Sequence, residues 1–180
     1  MSTRAADVGR TPSQTVGPFF HEALRWKDGA RVTFSEAGER VVLTGRVFDG
    51  AGDPVADALV ETWQLSPSGN LPSTAPGASK PQGFGRVETA KDGTFRIETL
   101  MPGGSGAPFL AVAILARGLL KPLRSRVYLV PEAGVRADPG LRPLASSPRL
   151  ATLVAQPAGS GQFHWDVRLQ CDGETAFFAA

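Results

Sequence analysis

The chain has 180 residues, of which 42% are hydrophobic and 20% charged, and 19 basic against 17 acidic side chains leave a formal net charge of +2. That length suits one domain with a substantial core, while so small a net charge, with no basic run and no aromatic stacking platform, argues against a nucleic-acid-binding surface. No apolar run approaches the ~18 residues a membrane span needs, the first ten residues lack the apolar stretch of a secretion signal, and the single cysteine, Cys171, suits a reducing compartment, so the expectation is a cytoplasmic protein.

Thr11 to Phe20 reads TPSQTVGPFF, apolar and aromatic but interrupted by two prolines and a glycine. Pro12 and Pro18 lack backbone donors and push Thr11 and Gly17 toward extended conformations. The segment predicts an ordered extended arm. Val41 to Phe48 alternates and stops at the turn cluster Asp49 to Asp53; Leu59 to Gln64 follows after a short link. Gly83 to Val87 and Thr94 to Leu100 flank Lys91-Asp92-Gly93, and Asp-Gly predicts a hairpin between them. Phe109 to Ala116 is a nearly unbroken apolar run, read as a strand buried on both faces. Arg126 to Val130 and Phe163 to Leu169 complete the strand set. Helix is confined to short turns near His21 to Trp26 and within Leu141 to Leu153. Two long irregular loops, Ser66 to Gln82 and Pro131 to Arg149, are of a length that is often functional or interfacial. Short strands with frequent turns make this an all-β chain, a β-sandwich with little helix. The expected organisation is one domain over 1–180, with an N-terminal arm at 1–22 and a sandwich core at 38–180.

Metal and nucleophile chemistry has few carriers here. There is one tyrosine, Tyr128, and two histidines, His21 and His164. With Cys171 they show no zinc-type spacing. Alternation in FHWDVRL puts His164 on the face opposite Trp165, as a surface or satisfied strand histidine. Tyr128, in RVYLV, reads as a core or edge aromatic with its hydroxyl bonded.

The TPSQT arm, VVLTGRVFDGAGDPVADALVETWQ, GFGRVETAKDGTFRIETLMPG, ILARGLLKPLRSRVYLVPE and FHWDVRLQCDGETAFF, taken in this order, resemble the intradiol ring-cleaving dioxygenases over nearly the whole chain. Within that family they are most similar to the iron-free α subunits of the protocatechuate 3,4-dioxygenase branch. The resemblance implies a β-sandwich of the intradiol dioxygenase type with an extended arm. It also implies chemistry at a ferric ion held by two tyrosines and two histidines. Followed along the motifs, the first tyrosine position falls at Leu71, the second within Met101 to Gly104, and the histidine positions at Phe109 and Ala111. An arginine position falls near Gly106, and a glutamine position at Arg126. Each ligand is lost, so Leu71 and Phe109 are expected to fill space as packed apolar groups.

By the same resemblance, Fe(III) belongs to a partner β subunit, with no metal and no catalytic residue in this chain. Thr15, Gly17, Pro18 and Arg117 are the residues placed at the mouth of the partner's active site, where a catechol-type aromatic substrate enters. For Arg117 a plain surface or interface ion pair is the competing reading. The implied product is 3-carboxy-cis,cis-muconate, on the β-ketoadipate route. A stand-alone β-sandwich binding module is the alternative for the whole chain, because fold alone does not separate it from an enzyme subunit. Phe19 and Phe20 are expected to be exposed in a lone chain.

Overall fold

The computed structural model describes residues 11–74 and 81–179. Two sheets face one another. The first runs β4 (Thr94–Leu100), β1 (Arg40–Phe48), β8 (Gln162–His164), β7 (Gln156–Gly159), with β9 (Val167–Arg168) also paired to β1. The second runs β3 (Phe84–Glu88), β2 (Leu59–Trp63), β5 (Phe109–Leu115), β6 (Leu123–Tyr128). Val41, Leu43, Val47, Phe95 and Ile97 from the first sheet meet Val60, Leu110, Val112, Ile114 and Val127 from the second in one buried cluster. Period-two alternation in each strand supplies this shared face.

Asp92-Gly93 does make a tight turn. The Asp92 carboxylate accepts from Thr94 N and Oγ1, at 3.1 and 2.6 Å, and Gly93 sits at φ +76. Yet the strands on either side do not form the expected hairpin. β3 pairs with β2 and β4 pairs with β1, so this turn carries the chain from one sheet to the other. Local turn chemistry specified the bend; the cross-strand partners were decided by distant segments.

Other expectations also change. In β5 only Leu110, Val112 and Ile114 are fully buried; Phe109, Ala111, Ala113 and Leu115 are half-buried on the outer face. The strand expected at Arg126 to Val130 starts three residues earlier and ends at Tyr128. Phe163 to Leu169 is not one strand but β8 and β9, both parallel to β1. The break lies at Gly45, where an added Cβ would fall 1.8 Å from the Trp165 carbonyl oxygen, and where the Asp166 carboxylate accepts the Arg46 amide at 3.0 Å. A side chain thus replaces one rung of the ladder.

The segment after β6 is not irregular. It holds α2 (Glu132–Val135) and two 3-10 helices, Pro139–Leu144 and Pro148–Leu153. Val135, Leu141, Leu150 and Leu153 bury against Tyr128, Val154 and Ala176 as a second cluster. At the other end, α1 (Phe20–Leu24) follows the arm. Phe19 is 71% exposed, as expected, but Phe20 is only 4% exposed, because the helix turns its first side chain inward. No helix among the described residues is long and apolar enough to cross a membrane.

Candidate functional site

The outer face of the second sheet has two ends, and they carry different things. At one end the chain leaves β5 through Ala116-Arg117-Gly118. A turn closes there with Leu119 N donating to Ala116 O at 3.2 Å, and Gly118 sits at φ +87, a region that favours glycine. Gln14 and Val16 of the arm line a shallow cleft of about 140 Å³ together with Leu115, Ala116 and Leu119 to Pro122. The arm therefore lies beside the segment that bears Arg117. Thr15 and Pro18 are exposed and Gly17 is half-buried. Gly17 takes φ +86 with no atom within 4 Å of a Cβ built on it, so glycine is needed for the conformation, and open space lies before it. The Arg117 side chain is 64% exposed and forms an ion pair with Asp57, which is 19% exposed. The ion-pair reading of Arg117 is thus met within the chain, while most of its guanidinium still faces outward.

At the opposite end, about 20 Å away along β5 at ~3.3 Å per residue, stand the positions the resemblance assigns to lost metal ligands. Segments 66–70 and 101–104 cross there in backbone contact: Gly103 N donates to Ser66 O at 3.0 Å, and an added Cβ on Gly103 would lie 2.0 Å from Pro67 O. Ala111 is in register with Trp63 of β2 and with Arg126 of β6. The expectation that Leu71 packs into the space fails, since Leu71 is 84% exposed. It lies in an irregular stretch just after the Ser66–Asn70 turn. Phe109 does pack. Its ring lies 5.3 Å from that of Tyr128, and the Arg126 guanidinium stacks over it at 4.6 Å.

These residues do not fit a ferric centre. Phe109, Ala111 and Leu71 offer no donor atom, and a fixed cation, Arg126, occupies this face. The oxygen groups beside it are already committed. The Tyr128 hydroxyl donates to Asp138 Oδ2 at 2.6 Å and accepts from Arg126 at 3.2 Å. Burial, and then the bond to Asp138, push the Tyr128 pKa up to about 12, so its phenol is held neutral, the reverse of a metal-bound tyrosinate. Asp138 also caps the first 3-10 helix by accepting from Gly140 N at 2.8 Å. Sequence reading missed Asp138 and Asp57: Asp138 lies outside the quoted motifs, Asp57 lies within one but carries no assigned role there, and each meets its partner only in the fold.

The remaining candidates stay apart. His164 is exposed on the first sheet and pairs with Asp166 at 3.0 Å, on the face opposite buried Trp165. Cys171 is exposed, and the His21 side chain lies outside the described residues. Among the described residues no group of three or more His, Cys, Asp or Glu could hold a metal ion.

Comparison with known proteins bears on this pattern. A family described as Dioxygenase matches residues 15–117. The protocatechuate 3,4-dioxygenase alpha chain of Burkholderia cepacia is 36% identical over 190 residues, covering 94% of this chain and 96% of that protein. The beta chain from the same organism is 33% identical over 96 residues, covering 51% of this chain and 40% of that protein. Among solved structures, the dioxygenase domain of a dioxygenase–carbohydrate-binding fusion from Streptomyces sp. SirexAA-E aligns with TM-score 0.54 at 23% identity, over 93% of this chain and 100% of that one, a likeness of fold. The arm, the two-sheet core and the full-length similarity lead to one conclusion: this chain belongs to the intradiol ring-cleaving dioxygenase family.

Proposed function

We propose that the chain is the iron-free α subunit of a protocatechuate 3,4-dioxygenase. It assembles with an iron-bearing β subunit, and its arm and Arg117 complete the mouth of that partner's active site for intradiol cleavage of protocatechuate to 3-carboxy-cis,cis-muconate. One observation carries the reading: the arm lies beside the turn that bears Arg117, at the end of β5 remote from this chain's own lost ligand positions. Groups so placed suit a role toward a neighbouring chain, because they stand away from the positions where this chain's own ligands would lie. Protocatechuate is anionic through its carboxylate, and an outward guanidinium suits such a substrate. Thr15 offers a hydroxyl, Gly17 a close backbone approach, and Pro18 rigidity.

The exposed apolar side chains support an obligate partner. Val16, Phe19 and Leu120 are 43%, 71% and 58% exposed, and Trp63 and Leu71 are 48% and 84% exposed. A contact that covers them is of the obligate kind, on the order of 2,000 Å² or more. Co-expression with a β subunit tests the proposal. The chain alone is expected to be colourless, free of iron and without ring-cleaving activity, and to bring down a red, iron-bearing partner. A stoichiometric ferric signal with a tyrosinate charge-transfer band in the lone chain would overturn it, as would a stable monomer that ignores the partner.

A further inference from the structure

We propose that Asp57 is the positioning residue for Arg117, holding its guanidinium in the attitude that receives an aromatic substrate's carboxylate. The inference rests on the reading of Arg117 given above and extends it to a residue to which the sequence motifs assign no role.

The register sets the pair. Leu59 of β2 lies opposite Leu115 of β5 in an antiparallel ladder. Asp57 and Arg117 each lie two residues beyond that pair, on neighbouring chain segments at the same end of the sheet. Asp57 adopts φ +75, the left-handed region that a residue with a Cβ occupies at a cost unless its surroundings hold it there. Here they do. Thr89 Oγ1 accepts from the Ala58 amide at 2.9 Å and donates to Val55 O at 2.7 Å, and Thr89 N donates to Ala58 O at 2.8 Å. The backbone on both sides of Asp57 is therefore tied to β3's end.

The two partners differ in how they are seated. The Asp57 carboxylate is 19% exposed and the Arg117 side chain 64%. A fixed, mostly buried carboxylate thus grips one corner of a projecting cation. The bond uses Nη2 of Arg117, and a guanidinium carries five N–H donors in a planar fork. Most of that fork remains for a ligand. Holding a long, rotamer-rich side chain in place before binding removes part of the ordering cost that binding would otherwise carry.

The test is steady-state kinetics on the assembled αβ complex with protocatechuate and with catechol, which lacks the carboxylate. The variants are Arg117→Ala, Asp57→Asn and the double variant. Asparagine tolerates the left-handed backbone, so Asp57→Asn removes charge and leaves the turn. Asp57→Gly, which also accepts positive φ, serves as a second variant. Both Asp57 variants are expected to raise KM for protocatechuate ~3- to 10-fold, with kcat within about twofold and KM for catechol unchanged. The double variant is expected to match Arg117→Ala alone, since the carboxylate acts only through the arginine. If Arg117→Ala raises KM for protocatechuate and neither Asp57 variant does, the positioning role is wrong while the reading of Arg117 survives. An Asp57 effect that adds to that of Arg117→Ala, or that raises KM for both substrates equally, also refutes positioning. If Arg117→Ala shifts the two substrates alike, the reading of Arg117 falls and the role of Asp57 falls with it.

Discussion

Replacing Tyr128 by Phe removes a single oxygen from the network that holds the second hydrophobic cluster to the sheet. The ring is fully buried and packs 5.3 Å from Phe109, contacts that Phe keeps. What is lost is the bond donated to Asp138 at 2.6 Å and the one accepted from Arg126 at 3.2 Å. Asp138 is 15% exposed; its Oδ2 is left with Arg126 at 3.7 Å, while its Oδ1 keeps the Gly140 amide at 2.8 Å. A hydrogen bond to a charged acceptor is worth about 1.5–3 kcal/mol, so Tyr128→Phe is expected to cost about 2 kcal/mol near neutral pH. For a domain of this size that lowers Tm by roughly 4–8 °C. The alkaline side adds an independent check. Tyr128 titrates near 10 when unfolded and at about 12 when folded. A raised pKa contributes stability that is intact below pH 10 and lost as pH rises toward 12, because the unfolded state releases its proton first. That loss amounts to roughly 2–3 kcal/mol at ~1.4 kcal/mol per unit. Urea denaturation at a series of pH values should therefore show the gap between wild type and variant closing above pH 10. The chain has one tyrosine, so near-ultraviolet absorbance follows this phenol alone. A phenol titrating near 10 in the folded chain, with Tyr128→Phe as stable as wild type, would refute the reasoning.

Gly103→Ala is expected to destabilise the chain by about 2 kcal/mol or more, since the new Cβ meets the backbone at Pro67 O and Gly69 N, 2.0 and 2.6 Å away, and neither atom is the end of a flexible side chain; a loss under about 0.5 kcal/mol by urea denaturation would show that the crossing of loops 66–70 and 101–104 is loose. Deletion of residues 1–20 is expected to leave iron bound in the partner, read by its visible absorption, while KM for protocatechuate rises; loss of the iron itself would mean that the arm supports the metal and does not merely line the entrance.

Much of the fold was legible because its signals are local. β1 alternates only loosely and β4 is marked by the turn before it, yet their expected limits are those observed to within a residue. The turn residues Asp49, Asp92 and Gly93 mark real bends. Pairing was not legible: Asp92-Gly93 looks like a hairpin turn, but its flanking strands belong to different sheets. The split between β8 and β9 depends on Trp165 crossing Gly45, residues 120 positions apart by the bond between Arg46 and Asp166. Phe20 and Leu71 were misjudged for a related reason. Hydrophobicity says that a side chain prefers burial, but which of two neighbouring phenylalanines turns inward is settled by the helix that begins at Phe20.

The absence of donor atoms at Phe109, Ala111 and Leu71, the single tyrosine and the arm motif are properties of the sequence alone, because side-chain chemistry does not depend on how the chain folds. Where those groups lie relative to one another is a property of the tertiary structure. The ladder between β2 and β5 sets Asp57 opposite Arg117, and β5 runs from the lost ligand positions Phe109 and Ala111 to the turn that bears Arg117, beside which Gln14 and Val16 of the arm lie. Ion pairing and stacking need approach within a few ångströms. Residues 60 positions apart, as Asp57 and Arg117 are, reach that distance only when long-range strand pairing brings them there.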